Sequence, residues 1–462
     1  MASETFDAIV IGAGQAGGPL ATALAKAGHK TALIERVHVG GTCVNEGCTP
    51  TKTMVASARV AHLTRRGADY GVHSGPIQID MSKIRQRKRD IVESFRDGSQ
   101  KGIEGTEGVS LIMGEAHFSG PKTVEIQLNG GGTRQITADL IFINAGARPS
   151  APNGFADVPT LNSTTIMELD QVPAHLLIIG GGYIGLEFGQ MFRRFGSAVT
   201  IIQRGDHLLA REDDDVADEV AKILREDGID VLLSTSPVSA RRTDDQQIVL
   251  TIRDGSGQRE LIGSHVLVAA GRTPNSDTLN LPAAGIAVDK SGYITVNERL
   301  ETNVPGIYAL GDIKGGPAFT HISYDDFRIV RTNLIEKGQA STKNRLVPYT
   351  VFIDPQLGRV GLSEKEAHEQ GLRVKVAKLP MTSVARAIEI DETRGFMKAI
   401  VDSDSGQVLG CAILGIEGGE VMAVFQMAMM GKVPYTTLRD TVFAHPTLSE
   451  SINNLFMALD ES

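Results

Sequence analysis

Apolar runs near the start of the chain predict the strands of an α/β domain. Residues 6–11 form a short apolar run, and the Ala- and Leu-rich segment through residue 27 predicts a helix. A second apolar run at residues 31–34 predicts the next strand. Farther along, residues 53–100 predict helices, and residues 109–143 return to strand patterns broken by glycine. This alternation predicts an α/β fold.

A glycine motif separates the first strand from the first helix. The motif is Gly12-x-Gly14-x-x-Gly17, and Glu35 ends the second strand. Glycines at this spacing let the backbone approach a pyrophosphate at a helix N-terminus, and the acid can bind ribose hydroxyls. The order strand, glycine turn, helix, strand and acid therefore predicts a dinucleotide-binding unit.

The same motif recurs after the apolar run at residues 176–179. It is Gly180-x-Gly182-x-x-Gly185, and the next strand, residues 199–202, ends in Gln203 and Arg204. Without an acid, the ribose 2′-hydroxyl loses its acceptor, whereas an arginine offers a partner to a 2′-phosphate. The second unit is therefore predicted to favour NADP(H) over NAD(H).

Composition shifts divide the chain into four predicted segments. A domain boundary is expected near residue 150, in the Pro-, Gly- and Asn-rich stretch 149–154. The last segment alternates predicted strands and helices, as an α+β layer does. The expected segments are a first nucleotide-binding domain at residues 1–150, a second at 151–271, a central segment at 272–345 and the α+β layer at 346–462.

Charge and hydropathy narrow the classes of partner. A net charge of −9 argues against binding to a nucleic acid backbone, so the basic run 83–89 is predicted to be an exposed helix face. No apolar run is long enough to span a membrane, and no charged-then-apolar leader precedes the first strand. We therefore expect a cytoplasmic protein with no membrane or nucleic acid partner.

Two of the three cysteines lie close together, at Cys43 and Cys48. Residues five apart on an ideal helix are rotated by about 140°, with Cα atoms roughly 8–9 Å apart, which is too far for a disulfide. If the two cysteines pair, they cannot share a regular helix. Cys48 is predicted near the first turn of a helix opened by Thr49-Pro50, where a thiolate is favoured. The alternative is two buried thiols that never meet.

Several other residues permit both structural and chemical interpretations. Cys411 lies in an apolar run and is predicted to be a buried strand residue. Asp312 either binds a polyol or caps a turn. Glu450, five residues from His445, either orients the imidazole for proton transfer or begins a helix beside a surface histidine. The methionines of residues 419–430 favour a core or a subunit interface over a soft-metal site.

Taken together, the motifs resemble those of the pyridine nucleotide–disulfide oxidoreductases, the family of dihydrolipoamide dehydrogenase, glutathione reductase and mercuric reductase. The resemblance rests on residues 40–52, residues 180–187, the Gly311-Asp312 turn and residues 445–450, in that order. It implies two Rossmann-like domains, for FAD and NAD(P), and a C-terminal α+β dimerisation domain. It also implies a homodimer.

The resemblance assigns cofactor contacts to residues of both glycine motifs and to the turns near them. FAD is expected at Gly12, Gly14, Gly17, Glu35, Thr42, Lys52, Gly146, Asp312 and Thr320. NADPH, with NADH as a possible substitute, is expected at Gly180, Gly182, Tyr183, Gly185, Arg204 and Gly271.

The resemblance also implies catalytic roles. Cys48 is the counterpart of the thiol that faces the flavin, and Cys43 of the thiol that meets the substrate. Lys52 and Glu187 resemble the ion pair beside the flavin, and Tyr183 the residue that covers it. His445 and Glu450 resemble the acid–base dyad that the second subunit supplies.

The implied reaction passes electrons from NADPH through FAD and a Cys43–Cys48 disulfide to a small disulfide, a metal ion or a reactive electrophile. Residues 318–328 resemble bacterial mercuric reductase-like chains. However, His445 stands where mercuric reductase carries tyrosine, and we expect neither its C-terminal cysteine pair nor a resident metal.

Two alternative functions stay open. One is an NAD-dependent dihydrolipoamide dehydrogenase, which usually carries an acid at the position of Gln203. The other is a non-enzymatic redox sensor in which the dithiol only switches conformation.

Overall fold

The computed structural model describes residues 4–150, 155 and 158–459. The chain forms two compact units, each built from separate segments. The first contains residues 1–54, 82–150 and 271–345, and the second contains residues 55–81, 151–270 and 346–462. Most of the expected boundary stretch, residues 151–154, and the last three residues of the chain lie outside the described residues.

The first unit is built around a sheet whose central strands are parallel. In spatial order, the parallel strands are Val109–Gly120, Thr31–Glu35, Ala8–Ile11, Leu140–Ile143 and Ile307–Ala309. An antiparallel extension continues from the first of these through Thr123–Leu128 and Thr133–Thr137, and Glu4–Thr5 pairs at its edge. A separate antiparallel pair joins Ala147–Pro149 to Arg272–Pro274.

Both faces of this parallel sheet are buried, which explains its continuous apolar runs. In the strand Ala8–Ile11, Ile9 and Ile11 pack into one core cluster, while Ala8 and Val10 pack into another on the opposite face. The helices of this unit are Gly17–Lys26, Gly41–Asn45, Met81–Glu104 and Thr320–Leu334, with 3₁₀ turns at Asn275–Thr278, Leu281–Ala284 and Gly311–Lys314. The helix Cys48–Arg65 begins in this unit and ends among residues of the second.

The prediction of helix across residues 53–100 is wrong at residues 66–80. Helix Cys48–Arg65 ends there, and a 3₁₀ turn at Gly67–Tyr70 precedes ten residues without regular structure. Gly67 approaches the carbonyl oxygen of Val72 closely, so a tight turn replaces the helix. The basic run 83–89 lies on Met81–Glu104 and is largely exposed, although Lys88 is buried.

The second unit contains three sheets. Its parallel sheet has the spatial order Asp230–Leu232, Ala198–Ile202, His175–Ile179 and His265–Val268. An antiparallel sheet joins Ser236–Arg242, Ile248–Asp254 and Gly257–Gly263. The C-terminal sheet is antiparallel, in the order Tyr349–Val351, Gln356–Gly361, Val408–Gly415, Phe396–Asp402 and Val374–Pro380.

The helices of the second unit flank these sheets. They are Tyr183–Phe195, Asp214–Glu226, Glu364–Glu369, Ala385–Glu389, Gly418–Met430, Tyr435–Asp440 and Ser451–Met457, with 3₁₀ turns at Thr165–Glu168 and Met381–Ser383. The α+β character predicted for the C-terminal segment is confirmed. Cys411 is buried in its sheet, as expected, while Met422 is buried and Met427 and Met430 are exposed. Within the described residues, no helix has both the length and the apolarity needed to cross a bilayer.

A buried asparagine ties the first glycine turn to two strands of the first unit. Asn144 follows the strand Leu140–Ile143, and its Oδ1 accepts a hydrogen bond of 2.9 Å from the Gly17 amide. Its Nδ2 donates to the carbonyl oxygen of Leu310 at 2.8 Å. Only 8% of Asn144 is exposed, so water cannot replace these bonds.

Asn144→Ala is therefore expected to leave one buried amide and one buried carbonyl unpaired. We predict that it lowers the free energy of unfolding by about 3 kcal/mol, measured by urea denaturation of the holoprotein. The control is Asn129→Ala, which removes an exposed hydrogen bond to the Arg36 carbonyl and should cost about 0.5 kcal/mol. Equal losses in the two variants would contradict this role of Asn144.

Candidate functional site

The first glycine turn lies between the strand Ala8–Ile11 and the helix Gly17–Lys26. Gly12 has a φ of +101°, and a Cβ at Gly17 would collide with the Gly12 carbonyl oxygen. A Cβ at Gly14 would lie 2.9 Å from Asn144 Oδ1. The turn is therefore tightly packed, with Gly14 and Gln15 partly exposed, and it lies at a helix N-terminus, the position that suits a pyrophosphate.

Glu35 closes the second strand beside this turn. Its Oε2 accepts a hydrogen bond of 2.9 Å from the Ala13 amide, and its Oε1 accepts one of 2.9 Å from the Val37 amide. The carboxylate is thus fixed next to the glycine turn, where the ribose of a dinucleotide lies in this type of fold.

The segment that carries the cysteines packs directly on the first glycine turn. The Gly40 amide donates to the Ala13 carbonyl at 2.9 Å, and Gln15 Nε2 donates to the Gly40 carbonyl at 3.1 Å. Gly41 lies so close that a Cβ there would be 2.7 Å from the Gly14 Cα. These contacts fix Thr42 and Cys43 relative to the nucleotide-binding turn.

Two helices separated by a break carry the cysteines. Cys43 lies in the short helix Gly41–Asn45, and Cys48 is the first residue of Cys48–Arg65, near where the sequence placed it. Gly47 lies between them, and a Cβ there would be 2.9 Å from the Thr42 carbonyl oxygen. Asn45 Nδ2 holds the short helix by donating to the carbonyls of Val39 and Gly41.

Both cysteines are thiols in this structure, and they interact with each other. A hydrogen bond to Cys48 raises the pKa of the Cys43 thiol strongly, and burial and the charge on Cys48 raise it further. Thr320, the first residue of its helix, places Oγ1 3.4 Å from the Cys48 Sγ. Cys411, by contrast, is isolated in the C-terminal sheet, and burial raises its pKa to about 12.

Asp312 lies in the turn that follows the strand Ile307–Ala309. Burial raises the pKa of its carboxyl, while the Arg272 guanidinium, with Nε 3.9 Å away, lowers it. Among the described residues, no donor makes a hydrogen bond to this carboxylate. A largely buried carboxylate without such a partner fits a polyol ligand such as the ribityl chain of FAD.

Gly146 and Gly271 lie together in the first unit, at the antiparallel strand pair. The Ser150 amide donates to the Gly271 carbonyl, and the Asn275 amide donates to the Gly146 carbonyl, each at 3.1 Å. No neighbour lies within 4 Å of a Cβ built on Gly146. Lys52, which is half-buried, lies one turn after Cys48 on the same helix.

The second glycine turn repeats the first. Gly180, Gly182 and Gly185 lie between the strand His175–Ile179 and the helix Tyr183–Phe195, and a Cβ at Gly185 would collide with the Gly180 carbonyl oxygen. Gln203 Oε1 accepts a hydrogen bond of 3.0 Å from the Gly181 amide. Gln203 therefore makes the same contact as Glu35 without its charge.

Arg204, Tyr183 and Glu187 lie around this second turn in different environments. Arg204 is exposed just after the strand Ala198–Ile202. Tyr183 is 36% exposed at the start of its helix, whereas Glu187 is buried one turn later. Glu187 Oε1 accepts a hydrogen bond of 2.9 Å from the Phe352 amide. Lys52 belongs to the first unit and Glu187 to the second.

His445 and Glu450 form a hydrogen-bonded pair in the second unit. His445 Nδ1 lies 2.9 Å from Glu450 Oε2 and 3.1 Å from Oε1. The imidazole is 68% exposed. The Glu450 amide also donates to Thr447 Oγ1, which holds the carboxylate beside the imidazole. This geometry fixes Nδ1 and directs proton exchange to Nε2.

Sequence reasoning missed two residues that organise the site, Asn144 and Asn45. Asn144 directly follows a predicted buried strand, a position where polar residues face the ligand in parallel sheets, so its position was detectable. Asn45 carries no such pattern. Within the described part of the chain, no group of three or more His, Cys, Asp or Glu side chains is arranged to hold a metal ion.

Comparison with known families and proteins gives matches along nearly the whole chain. Residues 6–326 match the model of the pyridine nucleotide-disulphide oxidoreductases, and residues 347–456 match the dimerisation domain of that family. The probable pyridine nucleotide-disulfide oxidoreductase RclA of Escherichia coli is 38% identical over 98% of each chain. Mercuric reductase of Bacillus cereus is 34% identical over 99% of this chain and 72% of its own.

The fold also matches a solved structure. This is the Cu(II) complex of the HOCl-induced flavoprotein disulfide reductase RclA from Escherichia coli, with a TM-score of 0.89, 37% identity and 99% coverage of both chains. The chain therefore belongs to the pyridine nucleotide-disulphide oxidoreductase family, and it is an enzyme that uses FAD and NAD(P)H to act on a sulfur group or a metal ion.

Proposed function

We propose that this enzyme uses NADPH to reduce a small disulfide, a metal ion or a reactive electrophile at Cys43. The observation that carries the proposal is the hydrogen-bonded Cys43–Cys48 pair, packed beside the first glycine turn and Thr320. Residues 1–150 and 272–345 form the FAD site in this proposal. Residues 151–271 bind NADPH, and residues 346–462 form a homodimer.

The residues of the first unit fit FAD. Gly12, Gly14 and Gly17 hold the pyrophosphate in this proposal, Glu35 the ribose and Asp312 the ribityl chain. Thr42, Lys52, Gly146 and Thr320 complete the site. When bound, FAD accepts a hydride from the nicotinamide and supplies the electron pair that opens a Cys43–Cys48 disulfide.

The two thiols divide the charge of the reduced pair. Cys48 begins a long helix, whose N-terminus favours a thiolate. The hydrogen bond that raises the pKa of Cys43 keeps the proton on that sulfur. Cys43 therefore needs a base before it can attack a substrate, since the thiolate is the nucleophile.

His445 is the proposed base, held by Glu450 through Nδ1. It takes the proton of Cys43 at Nε2, and the Cys43 thiolate then attacks one sulfur of the substrate disulfide. The S–S bond breaks, and the leaving thiolate takes the proton back from His445. The Cys48 thiolate then attacks Cys43, which restores the internal disulfide and releases the second half of the substrate as a thiolate that takes a proton from the solvent. The dyad comes from the partner subunit, as in the family.

A metal-ion acceptor is the second candidate. The related structure is described as a Cu(II) complex, and a thiolate pair is a suitable ligand set for soft metals. The retained His445–Glu450 pair favours a disulfide, because metal reduction releases no thiolate that must be protonated. A Cys43–Cys48 disulfide that must be opened in every turnover fits a reducing, cytoplasmic location.

The preference for NADPH rests on Gln203 and Arg204. Gln203 keeps the hydrogen bond to the glycine turn but brings no negative charge near the ribose 2′ position. Arg204 is exposed beside it and can pair with a 2′-phosphate. Gly180, Gly182, Tyr183, Gly185 and Gly271 complete the proposed dinucleotide contacts. A dihydrolipoamide dehydrogenase would instead prefer NADH.

The first prediction concerns the coupling of the two thiols. Cys48→Ser removes the hydrogen bond that raises the Cys43 pKa, so alkylation of reduced Cys43 should begin at lower pH than in the wild type. Rates of iodoacetamide labelling against pH, read by peptide mass spectrometry, give the result. Cys411→Ser is the control and should leave the profile unchanged. An unchanged profile in Cys48→Ser would contradict the coupling.

The second prediction assigns the attacking sulfur. Cys43→Ser should keep bound flavin and NADPH affinity but lose disulfide turnover, because the sulfur proposed to attack the substrate is removed. Steady-state NADPH oxidation with lipoamide, glutathione disulfide and Cu(II) as acceptors measures the effect. Cys411→Ser should retain activity with every acceptor. Wild-type disulfide turnover by Cys43→Ser would refute the proposed role.

The third prediction concerns cofactor choice. Gln203→Glu should retain the bond to Gly181 but repel a 2′-phosphate, so kcat/KM for NADPH should fall about tenfold while that for NADH holds or rises. Arg204→Ala should produce a similar loss for NADPH, and Arg204→Lys should restore part of it. The NADPH-to-NADH ratio of kcat/KM is the readout. A ratio that none of these variants changes would show that these residues do not select the cofactor.

A further inference from the structure

The segment that follows the second nucleotide-binding strand, residues 203–213, is attached at its start to the glycine turn. Gln203 accepts from the Gly181 amide at 3.0 Å and donates from Nε2 to the His207 carbonyl at 3.3 Å. The Leu209 amide donates to the Gly181 carbonyl at 3.0 Å. The path of this loop therefore determines where Arg204 lies.

The other end of the loop is acidic and is bound to the C-terminal sheet. Asp213 accepts hydrogen bonds of 3.0 Å from the amides of Glu364 and Lys365. Glu212 lies 3.3 Å from Arg359 Nε and accepts a hydrogen bond from the Tyr349 hydroxyl. Glu212 and Asp213 are both buried.

Lys398 is the centre of this attachment. Its side chain is 3% exposed, and its Nζ lies 3.1 Å from Asp213, 3.0 Å from Asp215 and 2.8 Å from Glu364. Lys378, on the neighbouring strand, pairs with Asp215 at 2.9 Å, but its side chain is 45% exposed. Of these two lysines, only Lys398 is buried. From its strand in the C-terminal sheet, it bonds both to Asp213 at the end of the loop and to Asp215 in the helix that follows.

The charges in this network support one another. Burial opposes the charged form of Lys398, but the hydrogen bonds that it donates to Glu364, Asp215 and Asp213 outweigh burial and raise the pKa of the ammonium. Burial likewise opposes the charge on Asp213, but the two backbone amides and Lys398 lower its pKa. A buried ammonium and a buried carboxylate that both remain charged and paired hold one geometry.

We infer that Lys398 is a positioning residue for the pyridine dinucleotide site. It fixes the acidic end of residues 203–213 on the C-terminal sheet, and so holds Gln203 and Arg204 in the geometry that accepts the adenosine side of the cofactor. Lys398 does not touch the cofactor in this role. The inference rests on the proposed function, because it takes the dinucleotide to bind at Gln203 and Arg204.

Lys398→Met is the test. We expect the KM for NADPH to rise about tenfold, with kcat at saturating NADPH and the flavin content unchanged. Hydrogen exchange of peptides covering residues 203–213 should become faster, while that of the helix Tyr183–Phe195 stays the same. Lys398→Arg should restore both values. The control Lys378→Met removes a more exposed partner of Asp215 and should change KM by less than about twofold.

A second variant keeps the inference testable if Lys398→Met does not fold. Asp213→Asn removes the charge that pairs with Lys398 and keeps a side-chain oxygen for only one of the two backbone donors, so it should show the same rise in KM and in hydrogen exchange. Unchanged KM and exchange in the folded variants would overturn the inference. A rise in KM accompanied by lower kcat and lower flavin content, without rescue by Lys398→Arg, would show a general structural role. That result would also overturn the inference.

Failure of the cofactor proposal gives a different result. Equal kcat/KM for NADPH and NADH in the wild type would contradict the role of Arg204. The positioning role would still predict that Lys398→Met speeds hydrogen exchange in residues 203–213 and raises the KM for either dinucleotide.

Discussion

The packing of residues 40–48 on the first glycine turn is the constraint on which the site depends. Gly41 can lie against Gly14 only because Gly41 carries no side chain, and the Gly40 amide donates to the Ala13 carbonyl across the same contact. This contact places the Cys43–Cys48 pair beside a nucleotide-binding turn. The N-terminus of the helix Cys48–Arg65 then favours charge on Cys48, and the hydrogen bond between the thiols retains the proton on Cys43.

The two glycine turns show one local structure used twice in the chain. In each, a side chain from the end of the second strand accepts a hydrogen bond from an amide of the turn: Glu35 from Ala13, and Gln203 from Gly181. The contact therefore has a structural role that either an acid or an amide fulfils. The charge is free to vary, and with it the selectivity for the ribose or its 2′-phosphate.

Local pattern predicted the elements well and the long-range contacts poorly. Strands such as Thr31–Glu35 were detectable because both faces of a parallel sheet are buried and the run is apolar throughout. The helix prediction failed at residues 66–80 because Gly67, Gly71 and the Gly75-Pro76 pair end the helical pattern there. The bonds of Asn144 to Gly17 and Leu310 join residues far apart in the chain, which periodicity does not encode. The loss of an acid at Gln203 was visible, but the retained hydrogen bond was not.

The most direct test of the account is thiol labelling of the wild-type holoenzyme before and after anaerobic reduction by NADPH. We expect that Cys43 and Cys48 are protected as a disulfide in the oxidised enzyme and that NADPH alone makes Cys43 reactive, with buried Cys411 unlabelled throughout. Labelling of Cys43 and Cys48 that is the same with and without NADPH would contradict this expectation, because the pair would then not receive electrons from the cofactor.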